Sequence, residues 1–189
     1  PIKLVGTWDE GYALDHHVIS STFLGDDVYG HPRYETVRSE IGNALFLFKY
    51  RSNYDKLKEI ITLAQPFLDK WGALKTVDVV IPVPSSKKER SYQPAFEIAR
   101  EIADYLNVTY VEDVLIKTSD SQSKDTNITE KQKIEGTIIS QRKATREHNL
   151  LLVDDLFQSG ATLLECVRVL RRDAKMKRVF VLTMTKARR

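Results

Sequence analysis

The sequence is poor in cysteine and has no long apolar run, and both shortages narrow what the chain can be. Cys166 is the only cysteine among 189 residues, so neither an internal disulfide nor a cluster of thiolate metal ligands can form. No stretch has the roughly 20 consecutive apolar residues that a membrane-spanning helix needs, and no secretion-signal pattern opens the chain. These absences predict a protein that does not use a membrane and works in a reducing, cytoplasmic setting.

An excess of one charge is also missing. The 29 lysines and arginines nearly balance the 26 acidic residues, and the net charge of +3 is too small to indicate nucleic-acid binding by itself. The basic residues do gather near the C-terminus, at Arg171, Arg172, Lys175, Lys177, Arg178, Lys186, Arg188 and Arg189. Such a cluster either contacts phosphate groups or forms a solvated face, and the sequence leaves both interpretations open.

Hydrophobic patterning divides the chain into two parts. Residues 1–35 form short extended runs broken by glycine, which predicts hairpin-like strands, and amphipathic helices are expected near 38–49 and 54–71. Beyond residue 77, predicted strands at 77–83, 108–116, 150–153 and 178–184 alternate with predicted helices at 94–106 and 162–172. This alternation predicts an α/β fold with a mostly parallel central sheet flanked by helices, whose ligands bind beyond the carboxyl ends of the strands.

The run "LLLVDDLFQSGAT" at 150–162 holds the most informative chemistry. A buried strand ends on Asp154 and Asp155, and a turn of small residues then leads into a helix. Such a turn presents backbone N–H groups at the positive end of the helix dipole and suits a phosphate. The expected cradle comprises Gln158, Ser159, Gly160, Ala161 and Thr162. Carboxylates cannot bind the phosphate itself, so we expect them to hold sugar hydroxyls or a divalent cation, and a phosphorylated sugar to be the ligand. An acid pair at a strand end also occurs in receiver domains and other nucleotide folds.

Two further segments bear on this site. "IPVPSSKKER" places a second strand end and a basic loop at the same edge of the expected sheet. The polar segment 117–137 contains only two apolar residues, Ile128 and Ile134, and belongs to neither kind of element. An insert of this length is either a functional lid or a disordered loop.

Together these segments resemble the ComF-like (competence protein F-like) branch of the type I phosphoribosyltransferases. The acid pair with its Ser-Gly-Ala-Thr turn is similar to the family's phosphoribosyl-pyrophosphate motif, and "IPVPSSKKERSYQPAFEIAREIA" resembles the branch's Pro-Val-Pro segment and following helix. "LFLFKYRSNY" resembles its Lys-Tyr-Arg helix end. The chain departs from the family in lacking a cysteine zinc ribbon and in having Gln158 where threonine is frequent.

The resemblance implies an enzyme that uses 5-phosphoribosyl 1-pyrophosphate (PRPP) and Mg²⁺ to transfer ribosyl phosphate to an unidentified acceptor. Asp154 and Asp155 would bind the ribose hydroxyls and, directly or through them, the metal, with the 5-phosphate in the 158–162 turn. Pyrophosphate would lie along Val83, Pro84, Ser85 and Ser86, with Lys87, Lys88 or Arg90 neutralising its charge.

The same resemblance divides the chain into an N-terminal hood at 1–50 and a transferase core at 51–189, with a flexible loop at 117–137 that would close over the site. Because the chain ends just past its last strand, the N-terminal strands would have to supply the acceptor-reading hood. Its candidate stacking groups are Trp8, Tyr12, Tyr29 and Tyr50. A homodimer and an association with single-stranded DNA fit the same family, and a non-catalytic, PRPP-sensing or nucleic-acid-associated regulator is the alternative function.

Overall fold

The computed structural model describes residues 1–51, 53–85, 93–118 and 129–188. The strands are β1 (Ile2–Lys3), β2 (Glu10–His16), β3 (Val18–Asp26), β4 (Pro32–Arg38), β5 (Val79–Pro82), β6 (Thr109–Tyr110), β7 (Leu115–Lys117), β8 (Ile138–Ser140), β9 (His148–Phe157) and β10 (Met176–Lys186). The α-helices are α1 (Glu40–Arg51), α2 (Asp55–Leu68), α3 (Pro94–Leu106), α4 (Glu130–Ile134) and α5 (Ala161–Leu170), and a short 3₁₀ helix spans Gly72–Thr76. Within the described residues, no helix is both long and apolar enough to cross a membrane.

A six-stranded sheet organises the molecule, in the order β1-β2-β10-β9-β5-β6. Its strands run parallel except β1, which pairs antiparallel with β2. The predicted α/β fold with a mostly parallel, helix-flanked sheet is therefore confirmed. β5 and β9 are neighbours, with Pro82 opposite Val153, so the two segments singled out in the sequence end side by side at one edge of the sheet.

Side-chain alternation along β9 sends its residues into two separate cores. Leu151 and Val153 pack on one face of the sheet with α1, α2 and α3, whereas Leu150 and Leu152 pack on the other face with α5. Successive side chains of a strand point to opposite faces. Asp155 therefore points to the same face as Leu151 and Val153, and Asp154 points to the same face as Leu150 and Leu152. The two carboxylates are thus directed to different sides of the sheet.

The N-terminal segment contributes both to the sheet and to a separate hairpin. β2 lies parallel to β10, with Tyr12 opposite Leu182. Among the residues that the structure describes, β3 and β4 pair only with each other. A tight junction joins them to α1: the Ser39 hydroxyl donates to the His16 carbonyl and accepts the Gly42 N–H. A Cβ on Gly42 would lie 2.3 Å from the His17 carbonyl oxygen, which only glycine allows.

Two expectations about the segment after α3 were wrong. Residues 108–116 do not form one strand: β6 ends at Tyr110, and β7 pairs with β8 in a separate two-stranded sheet. The polar pair Glu112 and Asp113 lies between them, where a strand buried on both faces would need apolar residues. The segment 117–137 also contains regular structure, because α4 occupies Glu130–Ile134.

Candidate active site

A cleft of about 250 Å³ lies beyond the carboxyl ends of β5 and β9. Its lining comes from the segment that follows β5, from β9, from the ends of α1 and β7, and from the starts of α3 and α5. The lining residues are Lys49, Tyr50, Val83, Pro84, Ser85, Gln93, Pro94, Ala95, Lys117, Asp154, Asp155 and Thr162. Two carboxylates, two lysines and several hydroxyl or amide groups thus converge on one space. This mixture suits a polar, anionic ligand that also carries hydroxyl groups.

The turn between β9 and α5 encloses a second, smaller cavity of about 70 Å³. It is lined by Asp154 and by residues 156–163, and Asp154 and Thr162 line the larger cleft as well. Gly160 precedes α5 with a φ of +81° and has no side chain to cap the helix; the Ser159 hydroxyl accepts the Ala161 N–H at 3.3 Å. The N–H groups that follow Ala161 in the first turn, at the positive end of the helix dipole, suit an anion. The two cavities are therefore adjoining parts of one site, one suited to a phosphate and the other to a larger polar group.

The carboxylates of Asp154 and Asp155 have different surroundings. Asp154 Oδ1 accepts the Asp155 N–H at 2.8 Å, whereas Asp155 Oδ2 lies 2.8 Å from Lys49 Nζ in an ion pair whose side chains are 16% and 14% exposed. Burial, reinforced by the neighbouring charge of Asp155, raises the pKa of Asp154 to about 7. One acid is thus neutralised by a lysine, while the other bears an electrostatic cost that a bound cation or hydroxyl groups would relieve.

A cationic flank lies beside Asp155, at the base of the hairpin. His17 Nδ1 is 3.2 Å from Thr185 Oγ1, and burial, with the charges of Arg38 and Lys49, lowers the pKa of His17. The Arg38 guanidinium stacks 4.0 Å above the Phe46 ring. A neutral imidazole and two cations, Arg38 and Lys49, therefore lie near Asp155; of these three residues, Lys49 lines the cleft.

A comparison with protein families identifies the family of this chain. The model of the phosphoribosyl transferase domain matches residues 51–188, more than two thirds of the 189-residue chain. The chain belongs to the phosphoribosyl transferase domain family. No curated protein matches the sequence significantly.

Solved structures of other phosphoribosyltransferases are distantly similar. Adenine phosphoribosyltransferase from Thermoanaerobacter pseudethanolicus is 12% identical, with 88% of this chain and 95% of that chain covered and a TM-score of 0.44. Orotate phosphoribosyltransferase from Aeropyrum pernix is 13% identical, with 85% and 74% covered and a TM-score of 0.41. Leishmania donovani UMP synthase is 15% identical with a TM-score of 0.39; 82% of this chain is covered, but only 25% of the UMP synthase chain.

Most of the residues predicted for the site in this phosphoribosyl transferase domain lie together. Asp154, Asp155, Thr162, Ser85 and Tyr50 all line the larger cleft, as do Val83 and Pro84. The smaller cavity holds the remainder of the predicted cradle, which comprises Gln158, Ser159, Gly160 and Ala161. The amide of Val83 already donates to the Val153 carbonyl at 2.9 Å, and Pro84 has no amide proton. The described part of that stretch therefore offers the cleft chiefly Ser85.

Other predicted residues lie elsewhere. Trp8 is buried near the amino end of β2, opposite the cleft, and its indole N–H donates to the Leu4 carbonyl at 3.0 Å. Tyr12 packs edge-to-face against Phe67 and Trp71. Tyr29, at the tip of the β3–β4 hairpin, is 83% exposed. Ser86, Lys87, Lys88 and Arg90 lie outside the described residues.

Five residues that line the cleft of the phosphoribosyl transferase domain were not predicted from the sequence. Three of them are polar, Lys49, Gln93 and Lys117, and the other two are Pro94 and Ala95. Lys49 stands at the end of α1, where it looks like an ordinary solvated flank of an apolar stripe. The "KYR" run quoted from this helix end was the available signal. Lys117 closes β7 and Gln93 precedes α3, positions at which the sequence gives no sign of a ligand.

The stem of the segment 117–137 is fixed to the domain at both ends. The Thr118 N–H donates to the Thr137 carbonyl at 2.8 Å. The buried carboxylate of Glu165 on α5 accepts the Gly136 N–H at 2.9 Å and binds Arg168. The predicted lid role concerns the intervening residues, of which 119–128 lie outside the described part of the chain.

The basic C-terminal residues do not form one surface in this domain. Arg171 and Lys177 lie near the amino end of β10, where each is paired with an acid. Lys186 and Arg188 lie at the other end of this strand, roughly 30 Å away for a strand of its length. Arg189 lies outside the described residues. The sequence cluster therefore divides between opposite ends of the sheet.

Proposed function

We propose that the protein is a PRPP-dependent transferase that moves ribosyl 5-phosphate to an acceptor and releases pyrophosphate. The supporting observation is the pair of adjoining cavities that share Asp154 and Thr162. PRPP has a phosphate at one end, a diol in the middle and an anionic leaving group beyond the diol. This order matches the small cavity at the turn, the acid pair and the larger cleft. Membership of the phosphoribosyl transferase domain family points to the same donor.

Each part of the donor has a counterpart in the site. The 5-phosphate would accept N–H groups at the start of α5 and the Thr162 hydroxyl. The ribose hydroxyls would donate to Asp154 and Asp155, which hold the sugar between the two sides of the sheet. Pyrophosphate would lie in the larger cleft beside Ser85 and Lys117. It departs from C1 with the bonding electron pair, and the acceptor's lone pair forms the new bond, so stabilising the charge of the leaving group is the main catalytic task.

The carboxylates of the site fit a Mg²⁺ ion that is bound partly by the protein and partly by the substrate. Among the described residues, no three His, Cys, Asp or Glu side chains form a group that could hold a metal alone. Mg²⁺ is commonly held by one or two carboxylates together with substrate phosphates and water, and Asp154 and Asp155 supply such carboxylates. When bound, Mg²⁺ would supply positive charge to the pyrophosphate.

The acceptor would enter on the Tyr50 side of the cleft. The Tyr50 ring is 60% exposed and lies 5.2 Å from the Phe46 ring, so it offers a face on which a planar acceptor could stack. Lys49, from the same helix end, pairs with Asp155. The involvement of this Lys-Tyr-Arg helix end in the cleft supports assignment to the ComF-like branch, which we propose as the subfamily.

Calorimetric titration of PRPP, with and without Mg²⁺, tests the donor assignment. We expect Mg²⁺-dependent binding by the wild type and its loss in the Asp154→Asn/Asp155→Asn double variant. Glu147→Gln provides the control, because Glu147 is exposed and pairs with Lys177 at the amino end of β10, away from the cleft. Pyrophosphate release with a panel of acceptors then identifies the second substrate.

An absence of PRPP binding by the wild type would contradict the transferase assignment. Salt-dependent binding of single-stranded DNA, unaffected by PRPP, would instead favour the regulatory alternative. The basic C-terminal residues divide between the two ends of β10, which does not favour that alternative.

A further inference from the structure

Glu165, in the second turn of α5, is a buried carboxylate that lines neither cavity of the donor site. Its Oε1 accepts the Gly136 N–H at 2.9 Å, and the Arg168 guanidinium donates to both of its oxygens, at 2.6 and 2.8 Å. The hydrogen bonds from Arg168 outweigh burial and, with that from Gly136, hold the pKa of Glu165 below its ordinary value. A buried charge is costly unless it is paired in this way. The ionised carboxylate is therefore kept where it joins α5 to Gly136.

The hydrogen bond between Glu165 and Gly136 joins two different walls of the donor cleft. On α5, Thr162 precedes Glu165 by about one helical turn and lines both cavities. On the other wall, Lys117 at the end of β7 lines the larger cleft and pairs with Ile138 of β8, which follows soon after Gly136. Glu165 thus lies behind the residue expected at the 5-phosphate, and its partner lies beside the residue expected at the pyrophosphate.

The sheet of β7 and β8 needs such a bond to hold its position along α5. Within the described part of the chain, these two strands pair only with each other. The buried side chain of Ile138 packs in the core that contains α5, but apolar contacts are non-directional, whereas a hydrogen bond restricts both distance and angle. Far from the cleft, Asp173 accepts the Ala144 N–H at 2.9 Å. At the cleft end, the corresponding bond is that from Gly136 to Glu165.

We propose that Glu165 is a positioning residue for the donor: through Gly136 it sets the spacing between Lys117 and Thr162, so that one PRPP molecule engages both. The role rests on the proposed function, because it requires the two ends of PRPP to bind at these two residues. The ribose joins the 5-phosphate to the pyrophosphate at a fixed separation, so both ends bind well only when the two walls are correctly spaced. Ribose 5-phosphate lacks the pyrophosphate and needs only the Thr162 wall and the acid pair. Glu165 should therefore matter for PRPP and not for ribose 5-phosphate.

Calorimetric titration of PRPP and of ribose 5-phosphate, each with Mg²⁺, into Glu165→Met tests this role. Methionine has a similar volume and accepts no hydrogen bond from Gly136. We expect the PRPP affinity to fall about tenfold, in the range found when residues that orient metal ligands are removed, and the ribose 5-phosphate affinity to stay unchanged. Glu165→Gln keeps an acceptor oxygen for the Gly136 N–H and should retain more PRPP affinity than Glu165→Met. Glu59→Ala is the control: Glu59 forms a helical ion pair of the same spacing, with Lys56, on α2, which does not line the cleft.

A double-mutant cycle with Lys117 separates positioning from a general loss of structure. Lys117→Met should weaken PRPP binding, and Lys117→Met/Glu165→Met should bind PRPP no more weakly than Lys117→Met alone, because Glu165 acts through Lys117. Should Glu165→Met not fold, Arg168→Ala replaces it in the cycle with the same expectation, since it takes the second partner from Glu165 at a side chain that is 42% exposed.

The outcomes distinguish this inference from the donor assignment. Equal losses of PRPP and ribose 5-phosphate affinity in Glu165→Met, or additive losses in the double variant, would overturn the positioning role while the donor assignment stood. A wild type that binds ribose 5-phosphate and PRPP equally well would show that Lys117 does not hold the pyrophosphate, and the role would fall. A wild type that binds neither compound would contradict the donor assignment and this inference together.

Discussion

Asp154 combines burial with a like-charged neighbour, so its ionised form is disfavoured in the folded protein. Its pKa of about 7 lies above the ordinary value of 3.8. The native state therefore holds a proton that the unfolded chain has lost between about pH 4 and 7, and stability falls as the pH rises through this window. In the absence of Mg²⁺, Asp154→Asn should be more stable than the wild type by about 1–3 kcal/mol at pH 8.

Urea unfolding at pH 8 and pH 5 measures this difference, which should shrink at the lower pH. The same variant should lose PRPP binding, because an amide has one acceptor oxygen and no negative charge, so it accepts ribose hydroxyls less strongly than a carboxylate and does not bind a cation as a carboxylate does. A stability gain that was equal at both pH values would show that the carboxylate charge is not its cause. Asp69→Asn, on the α2 side of the molecule, is the control: Asp69 accepts an exposed hydrogen bond from Tyr105.

Lys49 lies on the α1 side of the sheet, the side to which Asp155 points, and its charge affects both acids. Its charge lowers the pKa of Asp154 and its ammonium group holds Asp155. Lys49→Met should therefore raise the pKa of Asp154 further and move the acidic limb of the pH–rate profile to higher pH. A shift of one unit corresponds to about a tenfold loss of the ionised form on that limb. Lys49→Arg keeps the charge and should keep the profile; an unchanged profile in Lys49→Met would exclude this role.

At the scale of elements, the turn between β9 and α5 depends on Gly160. The residue has a φ of +81°, and a Cβ there would lie 2.8 Å from the Phe157 ring. Gly160→Ala should destabilise the fold by about 1–3 kcal/mol and weaken PRPP binding, because the turn must open to relieve both the strain and the clash. Gly72→Ala is the matched control, since nothing lies within 4 Å of its added methyl group. Calorimetry measures the PRPP affinity of the two variants, and thermal unfolding measures their stability.

The elements show why the sequence predicts a single element better than the pairing between distant elements. Helix α3 was predicted with its bounds, because a strong apolar stripe follows a proline that starts the helix. The pairing of β2 with β10 was not predicted, since it joins residues about 170 positions apart and leaves no local signature. Lys49 was missed for the same reason: its partner, Asp155, is distant in the sequence.

At the scale of the whole molecule, the central sheet brings the two halves of the site together. Asp154 belongs with the phosphate turn on the α5 side, and Asp155 belongs with Lys49 on the α1 side. A ligand that engages both carboxylates therefore connects two packed cores through one strand. Ligand bound only to the native state stabilises it by about 2.7 kcal/mol at a hundredfold excess over Kd, so PRPP with Mg²⁺ should raise the midpoint of a single unfolding transition.

The family match begins at residue 51, yet the sheet does not. Removing residues 1–50 would uncover the edge of β10 that pairs with β2 and would take from the core the four buried apolar side chains of α1: Ile41, Ala44, Leu45 and Phe48. We expect a fragment of residues 51–189 to lose cooperative urea unfolding. The control replaces residues 19–37 by an Asn-Gly turn that joins the paired residues Val18 and Arg38; it removes only the hairpin and should unfold cooperatively. A fragment that unfolds as sharply as the full chain would show that the matched region is an independent domain.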